Sequence, residues 1–292
     1  MKQLLILSGK GGTGKTTIAS SFIKLSKSKA YADCDVDAPN LHLIMNQPSE
    51  PLCSDYFGLP KASIASDRCQ SCGLCMKHCK FEAVQYIGRY AIDPFSCEGC
   101  GVCERVCPSS AITLVPEAAG ELMLYLNDSI FSTAKLKMGS GTSGKLVTEV
   151  KKQLISASSS IKTELAIIDG SPGIGCPVIA SLSGVDMVLI VAEPSISGIS
   201  DMERIIDTAN KFQTRVAVCI NKFDTNLTNS EKIKSYCKIN NIPFAGVIPF
   251  DKNAVKAINQ GQSLIDIDCT AADSIKEVFK NTRALLFYEG EK

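Results

Sequence analysis

Gly9-Lys10-Gly11-Gly12-Thr13-Gly14-Lys15-Thr16-Thr17 stands between an apolar run, Gln3 to Ser8, and a stretch of helical spacing from about Thr16 to Lys27. The nine residues fit G-x-x-x-x-G-K-[ST] in a strand–loop–helix setting. That pattern has a mechanism. Glycines let backbone N–H groups curl around phosphate oxygens. Lys15 reaches the outer phosphates, and the Thr16 hydroxyl suits Mg²⁺. The helix start adds a favourable dipole.

Outward from this loop, short apolar runs alternate with amphipathic stretches. A second strand, Lys29 to Asp33, enters the acidic loop Asp33-Cys34-Asp35-Val36-Asp37. Later strands are expected at 165–168, 186–192, 215–220 and 245–248. Helices are expected at 143–158, 197–212, 229–240, 251–260 and 271–288. This rhythm predicts an α/β fold, a doubly wound, mainly parallel sheet covered on both faces.

Residues 53–115 break the rhythm. Cys69, Cys72, Cys75 and Cys79 recur 28 residues later as Cys97, Cys100, Cys103 and Cys107, and Ala83-Val84 recurs as Ala111-Ile112. The expected division is a discontinuous core, 1–55 and 116–292, with a small α+β insert at 56–115. Each run reads C-x2-C-x2-C-x3-C, the bacterial ferredoxin spacing, in which the fourth cysteine serves the other cluster. Two [4Fe–4S] clusters are therefore expected: one on Cys69, Cys72, Cys75 and Cys107, the other on Cys97, Cys100, Cys103 and Cys79. Thiolates without an interspersed histidine suit iron–sulfur better than other metals. Zinc sites more often show paired C-x2-C units. The first run ends Cys79-Lys80 where such ferredoxins usually place proline.

The chain carries 31 basic and 30 acidic residues, a formal charge of +1. That gives no bulk electrostatic case for nucleic acid or an anionic membrane. No segment approaches the roughly 20 apolar residues of a bilayer span. The start reads as a strand and not as a signal peptide, so a cytoplasmic protein is expected. Fourteen cysteines in such a chain point to metal ligation and not to disulfides. The six outside the runs are read mostly as small core residues.

The second lysine of the loop, Lys10, makes G-K-G-G-T-G-K-T-T resemble the deviant Walker A loop of the MinD/ParA superfamily of P-loop ATPases. That group shares its nucleotide core with the nitrogenase iron protein and the Mrp-type carriers. The resemblance implies nucleotide-dependent homodimers, with Lys10 reaching the partner's nucleotide. It implies that Asp35, followed by Asn40, orients the attacking water, and that Asp169 lies near Mg²⁺. Asp169 ends the strand Ile167-Ile168-Asp169 before the flexible turn Gly170-Ser171-Pro172-Gly173. Asn221-Lys222-Phe223-Asp224 falls where the group contacts the base. Because N-K-x-D also reads guanine in many GTPases, ATP is expected and GTP is the alternative. Cys176 lies seven residues after Asp169, the offset of a cluster ligand in the iron protein. An interface cluster and a small buried residue are its two readings.

The whole chain thus resembles MinD-superfamily ATPases carrying an inserted ferredoxin domain. The implied function is ATP-gated electron transfer through two [4Fe–4S] clusters to a redox partner. Delivery of iron–sulfur clusters to an acceptor protein is the alternative, although the late C-x-x-C of carrier relatives is missing. A redox-sensing regulatory switch is the third. The amphipathic end, Ser274 to Tyr288, is read as a helix packed on the sheet and not as a membrane anchor.

Overall fold

The first apolar run becomes β1 (Lys2–Leu7), which points Leu4 and Ile6 to one face of a sheet and Leu5 and Leu7 to the other. All four side chains are buried. A strand buried on both sides needs helices on both sides. The computed structural model, which describes residues 1–288, supplies them. α1 (Lys15–Ser26) leads to β2 (Ala30–Asp33), the single turn α2 (Leu41–Ile44) and β3 (Leu52–Phe57). A smaller region follows, with β4 (Lys61–Ile64), α3 (Leu74–His78), β5 (Val84–Tyr86), β6 (Tyr90–Ile92), α4 (Val102–Arg105) and β7 (Ile112–Val115). The chain returns through β8 (Ala118–Leu126), β9 (Ile130–Leu136), α5 (Ser143–Ser158), β10 (Leu165–Asp169) and α6 (Cys176–Leu182). It closes with β11 (Met187–Ala192), α7 (Ile196–Lys211), β12 (Arg215–Asn221), α8 (Leu227–Ile239), β13 (Phe244–Ile248), α9 (Lys252–Asn259) and α10 (Thr270–Phe287).

Nine strands form the main sheet in the order β13-β12-β11-β1-β10-β2-β9-β8-β3. From β13 to β9 they run parallel, and β8 and β3 join antiparallel at one edge. Leu146, Val150, Val178, Met202, Ile205 and Ile233 bring α5, α6, α7 and α8 onto one face. Ile18, Phe22, Ala257, Ile275 and Val278 bring α1, α9 and α10 onto the other. β1 sits between β10 and β11, where the strand order reverses. The carboxyl ends of strands at such a point open a crevice that binds ligands.

Residues 116–142, to which the sequence reading assigns no element, form the antiparallel hairpin β8–β9. Gly120 and the charged pair Glu121↔Lys135 mask its alternation. Phe131 anchors it, stacked between Tyr31 (centroids 5.0 Å apart) and Tyr125 (5.3 Å).

The segment between β3 and β8 has a core of its own, built on Ala62, Cys75, Ala83, Val84, Cys97 and Ile112. Its two halves trade partners. β4 pairs with β7, and β6 pairs with β5, an arrangement related by the 28-residue repeat. The hydrogen bonds follow the same rule: Ala65 N–H donates to Ala111 O, and Asp93 N–H donates to Ala83 O. Gly73 and Gly101, both at φ 75°, start α3 and α4 in the left-handed conformation that glycine tolerates. The segment leaves and re-enters the main sheet at neighbouring points, since Phe57 is in register with Ala118.

Phe131→Ala removes the ring that ties β9 to its neighbours and should cost about 3–5 kcal/mol. Guanidinium unfolding of the variant should show a lower midpoint with an unchanged slope.

Candidate functional site

The loop after β1 turns at Gly12 (φ 77°) and Gly14 (φ 92°), both in left-handed conformations. Gly14 also has no room for a side chain, because a Cβ there would lie 2.3 Å from the Asn221 amide nitrogen. That amide donates to Thr13 O at 2.6 Å and braces the loop from behind. Lys10 to Thr17, Asp35, Asn40, Leu43, Ile44, Pro172 and Ile258 line a cleft of about 330 Å³ at the sheet's carboxyl edge. The loop, the acidic segment and the turn after β10 thus meet in one place. Asn221, expected beside a base, holds the loop's backbone at Thr13.

Charge is concentrated at the floor of this cleft. Lys15 Nζ lies 2.5 Å from Asp169 Oδ1, and both side chains are buried. Asp33, at the end of β2, stands in register with Asp169 on the adjoining strand. Its carboxylate accepts from the N–H groups of Asp35, Asn40 and Leu41 at 2.9–3.0 Å, which shapes the acidic loop. Burial works against the charge on Lys15, but Asp169 and Asp33 outweigh it and hold its pKa above the ordinary lysine value. Burial, then the neighbouring Asp169, pushes Asp33 up to about 7, against the pull of Lys15. Burial also raises Asp35. Among the described residues the second oxygen of Asp169 is buried without a hydrogen-bond partner. An orphaned carboxylate oxygen beside the lysine of a phosphate loop fits a divalent cation.

Lys10 pairs within its own chain, its Nζ 2.9 Å from Glu193 and 3.4 Å from the Ser195 hydroxyl. Lys222 shares Glu193 at 3.4 Å and donates to Gly12 O at 3.0 Å. Burial alone would raise Glu193, yet the two lysines hold its pKa below the ordinary value. Gly173, at φ 96°, donates its N–H to Ser8 O and ties the turn after β10 to the end of β1. Asn40 lines the cleft. Cys176 is exposed at the start of α6, so the reading of it as a small buried residue does not hold. Asp33 and Glu193 are site residues that the sequence reading passed over. Their signal is the one that revealed Asp169, an acid just after an apolar strand.

The cysteine runs line two cavities. Cys69, Cys72, Cys75 and Cys107 share one with Ile64, Leu74, Tyr90 and Ile112. Cys97, Cys100, Cys103 and Cys79 share the other with Ala62, Ala83, Val84 and Leu114. Three thiols of one run and the fourth of the other meet in each, as the traded pairing requires. Cys107 Sγ accepts the Ala111 N–H at 3.3 Å and lies 3.6 Å from the Ser109 hydroxyl. Burial opposes charge on this sulfur, but those donors outweigh it and lower its pKa. Among the described residues no three His, Cys, Asp or Glu side chains converge on a single metal-ion position. A cubane needs no such convergence, because each iron takes its own thiolate. Also among the described residues, no helix is long and apolar enough to cross a membrane.

The CbiA family, the CobQ/CobB/MinD/ParA nucleotide binding domain, matches residues 4–265. An uncharacterized protein of Methanocaldococcus jannaschii, MJ0578, is 32% identical over 97% of both chains. A second protein of that organism, MJ0547, described as an uncharacterized ATP-binding protein, is 26% identical over 94% of this chain and 85% of its own. Among solved structures, the septum site-determining protein MinD of Pyrococcus horikoshii, complexed with Mg-ADP, superposes with a TM-score of 0.58 at 15% identity. That match covers 98% of this chain and 97% of MinD, and it shows a shared fold.

The raised pKa of Asp33 sets a pH dependence. The group favours the fold fully below its unfolded pKa of 3.8, and that contribution is lost as pH rises toward about 7. Asp33→Asn lacks this loss. Guanidinium melts in EDTA should show the variant gaining on the wild type between pH 5 and pH 8, by on the order of 1–4 kcal/mol. A constant difference across that range would contradict the assignment.

Proposed function

We propose that this chain, which belongs to the CobQ/CobB/MinD/ParA nucleotide-binding family, binds and hydrolyses ATP and uses the cycle to gate electron transfer to a redox partner. The electrons would pass through two [4Fe–4S] clusters held by an insert at residues 56–115. The observation that carries the nucleotide half is the buried, partnerless oxygen of Asp169 beside Lys15. A cation there would complete the charge balance. The name of MJ0547 supports ATP over GTP. The cluster half is supported by the two four-cysteine cavities, each apolar and each drawing one thiol from the other run.

In this reading Thr16 and Asp169 would hold Mg²⁺. Phosphate displaces Asp169 from Lys15, whose charge then faces the transferring group. Asp35, on a loop set by three hydrogen bonds to Asp33, orients the attacking water. Lys10 leaves Glu193 and reaches the nucleotide of a second copy. The clusters, when bound, supply one-electron chemistry. Cys69, Cys72, Cys75 and Cys107 would hold one, and Cys97, Cys100, Cys103 and Cys79 the other.

Lys15→Ala and Asp35→Ala should each lower ATP turnover at least ~100-fold, by loss of phosphate charge and of water positioning. Protein purified anaerobically should carry eight irons and eight sulfides per chain, with a reduced-state EPR spectrum that shifts on adding MgATP. Zinc in place of iron would sink the cluster half. Iron that moves to an apo-ferredoxin during turnover would replace electron transfer with cluster delivery.

A further inference from the structure

The cleft and the second cysteine cavity lie in different parts of the molecule, yet two packed helices, α6 and α5, lie between them. α6 carries the turn that follows Asp169, residues 170–175, and α5 holds α6 at both ends. At the first end Gly144 sits against the backbone of Cys176, where a Cβ would come within 3.0 Å of the Cys176 carbonyl oxygen. At the other, Lys151 Nζ donates to Ser181 O at 2.6 Å, to Ala180 O at 3.4 Å and to Ser183 O. Between these points Val147, Val150 and Leu154 share a core with Val178 and Leu182.

Lys151 is a strong constraint. Its side chain is 6% exposed, and the salt bridges of the described residues give it no carboxylate partner. Three N–H donors meet three carbonyls at a helix C-terminus, where the dipole favours a cation. Pulling α6 away would strand the ammonium in an apolar interior. The two helices are therefore tied to move together.

The start of α5 reaches the second cysteine run. A Cβ on Gly139 (φ 78°) would lie 3.1 Å from the Phe95 ring, and one on Gly141 would lie 3.4 Å from a Glu98 carboxylate oxygen. Thr142 packs on Gly58, and its carbonyl accepts the Tyr56 hydroxyl at 3.3 Å. Phe95 and Glu98 flank Cys97, and Glu98 also lines the cavity of Cys97, Cys100, Cys103 and Cys79. These contacts fall on the second run, while the twin cavity is walled by Ile64, Leu74 and Tyr90.

Building on the nucleotide and cluster reading above, we infer that Lys151 is a positioning residue that locks α6 to α5, so that nucleotide-driven movement of residues 170–175 reaches the cavity of Cys97, Cys100, Cys103 and Cys79 through loop 137–142. The two cavities are then inequivalent, one coupled to the nucleotide and the other a step removed.

Hydrogen exchange on the anaerobic full chain, with and without a magnesium-bound non-hydrolysable ATP analogue, tests this without relying on turnover. In the wild type, amides of 137–144 and 96–100 should change exchange rate at least ~3-fold on binding, and those of 69–76 should not. Lys151→Met should keep analogue affinity and lose the response at 137–144, and Lys151→Arg should restore it. Phe95→Ala, at an exposed ring, should keep the response at 137–144 and lose it at 96–100. An unchanged response in Lys151→Met, or an equal response at 69–76 in the wild type, would overturn the inference. If Lys151→Met fails to fold, Phe95→Ala decides alone, and a retained response at 96–100 counts against the coupling. Iron content of the same samples separates the two claims: eight irons without a transmitted response leaves the cluster reading standing and removes this one.

Discussion

Two carboxylates that end adjoining strands, Asp33 and Asp169, face one buried lysine, and the structure around the cleft is arranged to tolerate that excess of negative charge. Lys15 neutralises part of it. Three backbone N–H groups on Asp33 disperse more, and in doing so they fold the acidic loop around the carboxylate. One oxygen of Asp169 is left without a partner among the described residues, so the negative charge at the floor of the cleft is not fully answered by its neighbours. On the reading proposed above, a phosphate that takes Lys15 away would have to bring positive charge with it.

The same economy of position explains the cysteine segment. Neither half can close a core alone, so each contributes a strand and a fourth cysteine to the other. The duplicated halves remain distinguishable in their surroundings, because only one is braced against the loop that leads into α5. Lys80 in the place of proline adds a second asymmetry, outside the ligand set.

Much of this was legible in the chain. The glycine loop and the cysteine runs carry their chemistry in local spacing, which survives any uncertainty about the fold. Asp169 was legible because an acid closes an apolar strand. Asp33 satisfies the same rule, yet its importance depends on register with a strand more than a hundred residues away. Glu193 also follows an apolar strand, but its part in the site shows only in its pairing with Lys10 and Lys222, and that of Asn221 in the backbone it braces. β8 and β9 escaped because Gly120 and paired charges blur their alternation, and because the flanking βα rhythm biases the eye toward parallel strands.

The point where the cysteine segment joins the sheet has a consequence for how the molecule assembles. Phe57 and Ala118 stand opposite each other, so the segment is the connecting arc of an antiparallel hairpin. An arc of about 60 flexible residues is entropically harder to close than one of about six, by roughly 2 kcal/mol. Once the segment is folded, its two ends are already side by side and that penalty disappears. The outermost strand of the main sheet is thus zipped shut by the folding of a body it does not belong to, and a chain with that segment unfolded would fray first at that edge.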